Sequence, residues 1–578
     1  AAGAIACGVW EPVAYLLLGS GPGFLSGAAF AIGLIVPFAA SLAVLRLVVD
    51  KSLPKNAQAD KITDAVGGGL CGVLSGTITA GILVIGLGTQ WLPQDWMGYN
   101  RLDFNQSTKT MERGSGLFDS ARVDDAVEIV YSALSTSVFS PNPDNSLARL
   151  YPNLADVPAS IRMTTEEGRG KNFLRPDEVS LVGAFTVGLD ADGNPIEGAT
   201  AISIMTDAFN PERPQLLDRT GENIGQDGGF AAGYVLRFDP GAREQDSGQV
   251  ALTAAQARLV VENARTGDVL ELFPYAVITR RDPANDEDDN ASVEWGRYVV
   301  DDGPLASVAG ENNPVMMPEF WVPSGYEPVA LYIKNLRLPA DVDDALRYAS
   351  SSARQAAIVT GTIAAAGRIE IDESDAITWT PTLETPRDHG IFMADIIPGR
   401  ISFLNGTVDD LSTDDERRIL SGEARISRDA ASPRGVPREL VITSYQTTRG
   451  ASLIHFLLTE NNQTRDEDLA VRLSHQPLLD ASRDEQIFLV DESGVTYPCI
   501  GFVYADNQRV VLRYTRDNPL DGLSDLPSLP SRSRTGQEIY LTFEATTDAR
   551  IVGFVIGDRL MVRFATPLIS GDRDFPEN

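Results

Sequence analysis

The chain has 578 residues, of which 80 are acidic and 48 are basic, so its formal net charge is −32. This excess argues against a nucleic-acid partner, because a protein that binds nucleic acid presents a basic face to the phosphates. The three cysteines, Cys7, Cys71 and Cys499, provide neither a disulfide framework nor a thiolate metal site.

The first ninety residues are strongly apolar. No charged residue lies between Glu11 and Arg46, and a second uncharged run extends from Ala65 to Gln94. A helix that crosses a bilayer needs roughly 20 apolar residues. The pattern therefore predicts lipid-embedded helices at 21–45 and 65–92, with a buried helical hairpin of a soluble protein as the alternative. Residues 1–18 predict a further pass, with a secretory signal as the competing interpretation.

Small residues recur at four-residue spacing in the second run, at Gly68, Gly72, Gly76 and Ala80. This spacing places them on one face of a helix. In lipid, small residues allow the backbone of a neighbouring helix to approach closely. We therefore expect a helix-packing face, covered most simply by Phe24–Leu45 of the same chain; the alternative is that the glycines only lend flexibility.

One motif in this region has a family likeness. Arg46-Leu-Val-Val-Asp50-Lys51, a short loop, Asp60-Lys61 and then the glycine-rich run 67–76 resemble the colicin V production protein family. Members are small inner-membrane proteins in which an Asp-Arg pair precedes a glycine-rich final helix. Here Asp60 and Lys61 occupy the place of that pair, so lysine replaces the usual arginine. The resemblance covers about residues 1–95 and implies that the family's first helix is absent.

The orientation in the membrane can be predicted from the basic residues. The connection from Arg46 to Lys61 holds four basic residues against two acidic ones, which favours the cytoplasmic side. Everything after Trp91 would then lie outside the cytoplasm, and Trp91 and Trp96 would suit an interfacial belt.

The remainder predicts a large acidic region of short strands separated by turn residues, which is typical of sandwiches or barrels. The predicted fold is an α-helical membrane domain followed by an all-β soluble region with tandem β-sandwich-like modules. Its segments are transmembrane helices at 1–93, an exit segment with an amphipathic helix (Ser120–Val138) at 94–177, a first β module at 178–337, a connecting region with a helical patch (Ala340–Ala357) at 338–435, and a second β module at 436–570.

The two predicted modules share sequence patterns in the same order. Leu259–Gly267 is similar to Phe488–Gly494, and Arg297–Leu305 to Arg513–Leu520. Phe320–Ile333 is likewise similar to Phe543–Ile556. We therefore expect a duplication with copies at about 230–337 and 438–567, although two unrelated hairpins can share such patterns.

Chemical motifs are sparse. None of the three histidines, His389, His455 and His475, has a metal-ligand spacing, and His455 is expected to be a strand residue with a backbone partner. Asp190–Asn194 is expected to be a hairpin turn rather than a calcium loop, because Pro195 and Ala201 replace the required Gly and Glu. The acidic segment 282–294 is expected to be a solvated loop, with calcium as the alternative.

These observations predict a non-enzymatic integral membrane protein whose acidic β region lies outside the cytoplasm and serves envelope organisation or maintenance by interaction. No cofactor or metal is expected. The expected partners are membrane lipid and other membrane or envelope proteins. The first alternative is an accessory subunit of a larger membrane complex. A channel or transporter ranks last, because only Glu11 and Asp64 could line a polar pathway within the membrane.

Overall fold

A computed structural model describes the chain except for residues 21–22, 53–60, 91–100, 106–109, 114–121, 137–144, 163–170, 190–192, 197–203, 205–227, 245–246, 282–293, 300–304, 349–350, 360, 365–370, 375, 380–390, 405–409, 432–435, 438–439, 449–450, 460–483, 493, 517, 530–535 and 572–578. The predictions for Asp60, Trp91, Trp96, His389, His475 and the acidic loop after Arg281 fall outside the described residues. The chain forms two compact units, consisting mainly of Ala1–Thr186 with Glu212–Ala345 and of Leu346–Asn578.

The helices lie mostly in the first unit. Three long apolar helices begin the chain, and Pro12 and Pro37 lie within the first two. The helices are α1 Ala2–Ser20, α2 Ala29–Ser52, α3 Lys61–Gly88, α4 Val123–Ser135, α5 Leu147–Leu150, α6 Val157–Arg162 and, in the second unit, α7 Ser351–Val359. The amphipathic helix expected at Ser120–Val138 is α4, which begins and ends about three residues inside those bounds.

The two first helices are antiparallel and closely packed. The indole Nε1 of Trp10 donates a hydrogen bond of 3.0 Å to the carbonyl of Phe30. A Cβ at Gly33 would lie 2.9 Å from the carbonyl oxygen of Trp10, so only glycine allows α2 to approach α1 this closely. Near the start of α1, the hydroxyl of Ser41 donates to the carbonyl of Ala2 at 3.2 Å.

Most strands of the first unit lie after residue 178 in the chain. They are β1 Leu102–Asn105, β2 Thr110–Arg113, β3 Val179–Val187, β4 Gly229–Phe238, β5 Ala251–Leu252, β6 Ala257–Asn263, β7 Val269–Leu272, β8 Ala276–Arg281, β9 Glu294–Val299, β10 Leu305–Ala306, β11 Val315–Pro323, β12 Tyr326–Ile333 and β13 Leu336–Leu338. One sheet has the order β3-β4-β11-β8-β9 and another has the order β13-β12-β6-β7. We call Gly229–Leu338 the first β region.

Apart from β14, the strands of the second unit form one branched hydrogen-bonded network and one short pair. They are β14 Leu346–Tyr348, β15 Ile377–Trp379, β16 Ile391–Met393, β17 Phe403–Leu404, β18 Leu411–Thr413, β19 Arg418–Ser427, β20 Val441–Ile442, β21 Ser444–Tyr445, β22 Ala451–Thr459, β23 Ile487–Asp491, β24 Thr496–Ala505, β25 Arg509–Tyr514, β26 Glu538–Thr546, β27 Arg550–Ile556 and β28 Arg559–Ile569. The order is β15-β28-β27-β23-β24-β25-β19-β18, while β26 joins β24 to β22 and β22 pairs with β16. We call Ala451–Ile569 the second β region.

Two sequence expectations change in the second unit. The helical patch expected at Ala340–Ala357 is wrong in its first half: β14 ends at Tyr348 and α7 begins at Ser351. The expected connecting region, 338–435, is not separate from the strands that follow it. Its strands β15, β16 and β19 pair with β28, β22 and β25.

The two β regions have matching strand registers. Phe320 on β11 pairs with Ala232 on β4, and Phe543 on β26 pairs with Ile454 on β22. In the first region the next strand, β12, leaves this ladder and pairs with β6. In the second region the next strand, β27, likewise leaves its ladder and pairs with β23. A two-residue turn then connects β12 to β13 in the first region and β27 to β28 in the second. The matched positions differ from the sequence expectation by one residue: Leu259 corresponds to Leu489, not to Phe488.

Candidate membrane-facing site

The chain has three helices that are long and apolar enough to cross a membrane, Ala2–Ser20, Leu25–Ser52 and Ala65–Gly88. In α2 and α3, burial divides each helix into two parts. We call 29–38 of α2 and 81–88 of α3 the inner segments, because most of their side chains are buried. The outer segments are 39–52 of α2 and 65–80 of α3, and most of their side chains are exposed. The large apolar side chains exposed there are Leu42, Val44, Leu47, Val48, Val49, Val66, Leu70, Val73 and Leu74.

Glycines in the inner segment of α3 hold it against its neighbours. A Cβ at Gly81 would clash with the carbonyl oxygen of Val123 at the start of α4. A Cβ at Gly86 would lie 2.7 Å from the side chain of Ile35 on α2, and one at Gly88 would lie 2.8 Å from Pro158 on α6. These glycines therefore make the helix contacts that small residues permit. They lie beyond the run of small residues at four-residue spacing, which ends at Ala80.

The face expected to pack is open among the residues that the structure describes. A Cβ added at Gly68, Gly72 or Gly76 would meet no other atom within 4 Å among the described residues, and Ala80 is exposed. The helix α2 therefore does not cover this face, contrary to the simplest expectation. A packing role for Gly68, Gly72, Gly76 and Ala80 stays a prediction about something outside the described chain. In the family motif, Asp60 is not described and Lys61 is the first residue of α3.

The middle of α1 contacts the first β region through polar groups. The carboxylate of Glu11 accepts a hydrogen bond of 2.7 Å from Nε of Arg337 on β13. The backbone N–H of Arg337 donates to the hydroxyl of Tyr15 at 2.6 Å. The ring of Trp10 lies 5.3 Å from that of Tyr151, which follows α5. A residue considered for a polar membrane pathway, Glu11, is thus part of a contact between a helix and a strand.

A buried ionic cluster lies beside the inner segment of α3. The side chain of Arg101 is 6% exposed, and its guanidinium contacts three carboxylates, those of Asp124, Asp125 and Asp156. The N–O distance to Asp124 is 2.6 Å. Asp124 follows Val123, the residue that contacts Gly81. A second cation is close by, since Arg162 donates to the carbonyl of Gly88.

The described histidine is a core residue. The Nε2 atom of His455 is 2.9 Å from the carbonyl oxygen of Ala394, and Nδ1 is 3.1 Å from the hydroxyl of Thr542. The backbone partner confirms the expected environment. Burial lowers the pKa of His455 to about 4, so the imidazole is neutral near pH 7. It is therefore unsuited to be a solvent-exposed acid or base.

The other candidate chemical groups are also enclosed. Burial raises the pKa of the Cys499 thiol to about 12, so it is not a ready nucleophile. In the parts of the chain that the structure describes, no group of three or more His, Cys, Asp and Glu side chains could hold a metal ion. The expected turn after Leu189 is supported by a bridge between Leu189 and Pro195 and by the positive φ of Gly193, +87°.

Comparisons with known proteins do not identify a family. No protein-family model and no curated protein matches the chain. Among solved structures, vicilin from Corylus avellana (hazelnut) matches at 8% sequence identity over 55% of this chain and 77% of that chain, with a TM-score of 0.08. A score this low establishes no common fold. The likeness to the colicin V production family therefore depends on the motif residues alone.

Proposed function

We propose that this protein is a non-enzymatic membrane protein whose helices anchor an acidic β-rich region that binds other envelope proteins. The observation that carries the proposal is the exposure of the outer segments. Val66, Leu70, Val73 and Leu74 are each more than half exposed on one uncharged stretch of helix. Soluble proteins rarely expose a contiguous apolar surface of this kind. A lipid bilayer would cover it without any further protein.

The location follows from charge and family likeness. The basic residues between Arg46 and Lys61 favour the cytoplasmic side for that connection, so the β-rich region would lie on the other side of an inner membrane. The resemblance to the colicin V production family supports the same membrane and a role in envelope organisation. The net charge of −32 keeps nucleic acid an unfavourable partner.

We also propose that the β-rich region arose by duplication into two sandwich-like modules. The support is the matching register of β4 with β11 and of β22 with β26, followed by the same change of ladder. Two unrelated hairpins would share a turn, but would not share three consecutive pairings. Tandem modules would present two related surfaces to envelope partners.

Membrane extraction tests the anchoring. Membranes that contain the full chain would be washed with alkaline carbonate, and a variant with Leu70→Gln, Val73→Gln and Leu74→Gln would be compared with the unchanged chain. The unchanged chain should stay with the membranes, and the variant should be partly released, because each polar side chain in hydrocarbon is costly.

The matched control replaces apolar side chains that are exposed elsewhere, with Ile129→Gln, Ile396→Gln and Leu440→Gln. This control should remain in the membranes like the unchanged chain. Full release of the unchanged chain into the wash would contradict membrane anchoring.

A second function, an accessory subunit of a larger complex, is favoured by the open glycine face. Because nothing in the described chain meets Gly72, Gly72→Leu should leave the isolated chain as stable as before. If a partner helix covers that face, the substitution should reduce co-purification of the partner in detergent. Gly81→Leu is the contrasting variant, since it should destabilise the chain itself by displacing α4. Unchanged co-purification with Gly72→Leu would end this alternative.

A further inference from the structure

We propose that only the outer segments lie in lipid, and that α1 and the inner segments belong to the protein body outside the hydrocarbon layer. The protein would then have two membrane-spanning helices rather than three. Helix α1 would connect the first β region to these two helices. This inference depends on the proposed membrane anchoring and specifies where the bilayer lies.

The boundary between buried and exposed residues lies at about the same level in both helices. The side chain of Ile35 on α2 meets Gly86 on α3, which sets these two residues side by side. The last buried residue of α2, Phe38, is about 4.5 Å further along its helix axis. The first buried residue of α3, Gly81, is about 7.5 Å in the same direction. The two limits agree to about 3 Å, as expected if one planar boundary crosses both helices.

Charged groups lie on the inner side of this boundary. The guanidinium of Arg162 contacts the carbonyl of Gly88. Val123, which lies against Gly81, is followed in the chain by Asp124, a member of the buried cluster around Arg101. Placing residues 81–88 in hydrocarbon would carry this cluster into the membrane. Ionised side chains at that depth are costly, and irregular backbone there must be enclosed by protein.

The same argument applies to α1. Its central residue Glu11 forms an ion pair with Arg337, and the guanidinium side chain is about one-third exposed. If α1 crossed the bilayer, Glu11 would lie near the midplane, and β13 with its exposed arginine would have to lie there too. A strand at this depth is tolerated only in a closed barrel or inside protein. The contact therefore places the middle of α1 outside the hydrocarbon.

The outer segment of α3 has a suitable length. At 1.5 Å per residue, 65–80 of α3 measures about 24 Å. The hydrocarbon core is about 30 Å thick, and a bilayer can thin locally at a modest cost. Beyond this stretch the sequence has Asp64 and Lys61, which would reach the opposite surface. On α2, the outer segment 39–52 measures about 21 Å, with Arg46 near its middle. Arg46 pairs at 3.9 Å with Asp50 on the same helix, whereas the partner of Glu11 lies on a strand, and the long arginine can extend toward the headgroups.

Exposure alone does not separate α1 from α3, because Ile5, Val9 and Leu16 are also exposed. The experiment therefore compares one exposed position on each helix. The native cysteines would be replaced, and a spin label would be attached in turn to the full-length variants Leu16→Cys on α1, Val73→Cys on α3 and Ile129→Cys on α4. All three native side chains are about two-thirds exposed. Each protein would be placed in phosphatidylcholine and phosphatidylglycerol vesicles, and collisions of the label with oxygen and with a water-soluble nickel chelate would be measured.

Oxygen concentrates in hydrocarbon and the chelate is excluded from it. The label at position 73 should therefore collide with oxygen at least several times more than with the chelate, and the labels at 16 and 129 should show the opposite preference. A hydrocarbon signature at both 16 and 73 would overturn the inference in favour of three spans and leave the membrane anchoring intact. A water signature at all three positions would contradict the anchoring itself. A label at 73 that meets neither reagent would show that protein, not lipid, covers the outer segment, and would also overturn the inference.

Discussion

The first and second β regions share their strand pairing but satisfy one buried position in different ways. Glu319 on β11 pairs across the strands with Gly233, and Thr542 on β26 pairs with His455. By register these are equivalent positions, and the side chains of Glu319 and Thr542 are both fully buried. The first region therefore has a carboxylate where the second has a hydroxyl.

The neighbouring residues explain how each polar group is accommodated. In the first region, Arg297 on β9 donates to the carboxylate of Glu319 at 2.5 Å, while Gly233 leaves room for the ring of Phe185. In the second region, the imidazole of His455 is the partner of the hydroxyl, and it packs against the ring of Phe392, with 4.7 Å between ring centroids and 30° between the ring planes.

The difference shows that strand pairing does not determine the chemistry of a buried position. The same ladder contains an ion pair in one region and a neutral hydrogen bond in the other. A buried ion is costly to leave without its partner, whereas a neutral hydrogen bond contributes less. The two regions should therefore respond differently to loss of a partner and to pH.

The largest effect is expected from Arg297→Met. The side chains of Arg297 and Glu319 are 3% and 0% exposed, so the substitution leaves a buried carboxylate without its arginine. Loss of one partner of a buried pair costs about 3–5 kcal/mol. Denaturant unfolding of the full chain in detergent, with amide hydrogen exchange in β11 as the local measure, would test this.

The control for Arg297→Met is Arg425→Met, which breaks an ion pair at 3.8 Å whose side chains are more than half exposed. This change should cost less than about 1 kcal/mol. Equal effects of the two variants would show that the buried pair in the first region is energetically no different from a surface pair.

Between pH 7 and pH 4, a pH effect is expected for the second region's equivalent site. Burial lowers the pKa of His455 to about 4, below the value of about 6.5 expected in the unfolded chain. As the pH falls below 6.5, the unfolded chain binds the proton first, so the stability associated with the neutral histidine is complete above pH 6.5 and is lost as the pH falls toward 4. The loss amounts to about 3 kcal/mol.

The variant His455→Gln removes this titration while the carboxylates of the chain are unchanged. The free energy of unfolding of both proteins would be measured from pH 7 to pH 4, and the difference between them should change by about that amount in favour of the variant. A difference that stays constant over this range would contradict a neutral, buried histidine.

A smaller effect is expected from Thr542→Val. The substitution keeps the shape and removes the hydroxyl that lies 3.1 Å from Nδ1 of His455. A buried acceptor left unsatisfied costs about 1–3 kcal/mol, so the loss should fall below that of Arg297→Met. Hydrogen exchange in β22 and β26 would report it. Thr566→Val, at an exposed position of β28, is a control for the same change of side chain. A loss for Thr542→Val as large as that for Arg297→Met would remove the contrast between an ionic and a neutral partner.

The strands could be predicted from the sequence better than the packing of the helices. Short runs of strand-forming residues bounded by turn residues predicted β6, β11, β12 and their counterparts, because both kinds of residue can be recognised locally. The register was missed by one residue, since Leu259 and Phe488 both fit a strand and only pairing across the sheet distinguishes them.

The helix contacts could not be derived from spacing. Gly68, Gly72 and Gly76 have the regular pattern, yet the contacts are made by Gly81, Gly86 and Gly88, whose partners Val123, Ile35 and Pro158 lie far away in the sequence. Similarly, Glu11 gave no indication of Arg337, more than three hundred residues later. Such contacts depend on the tertiary arrangement, which no local pattern contains.

The smallest effect concerns the turn that follows β12 and β27. Lys334 and Gly557 are the first turn residues, and both have a left-handed backbone, with φ of 54° and 64°. Lysine in the first region shows that this turn can have a side chain. A Cβ at Gly557 would meet the carboxylate of Glu485, the end of a flexible side chain that can move aside. Gly557→Ala should therefore cost only the left-handed penalty of about 1–2 kcal/mol.

The matched control for this turn is Gly267→Ala, with φ of 73° and no atom within 4 Å of the added Cβ. It isolates the backbone penalty, so the two variants should lose similar stability in denaturant unfolding. A loss several times larger at Gly557 would show that the second region's turn needs glycine for space. The turns at Lys334 and Gly557 would then be equivalent in backbone conformation only, because the side chain that the first region accommodates would be excluded from the second.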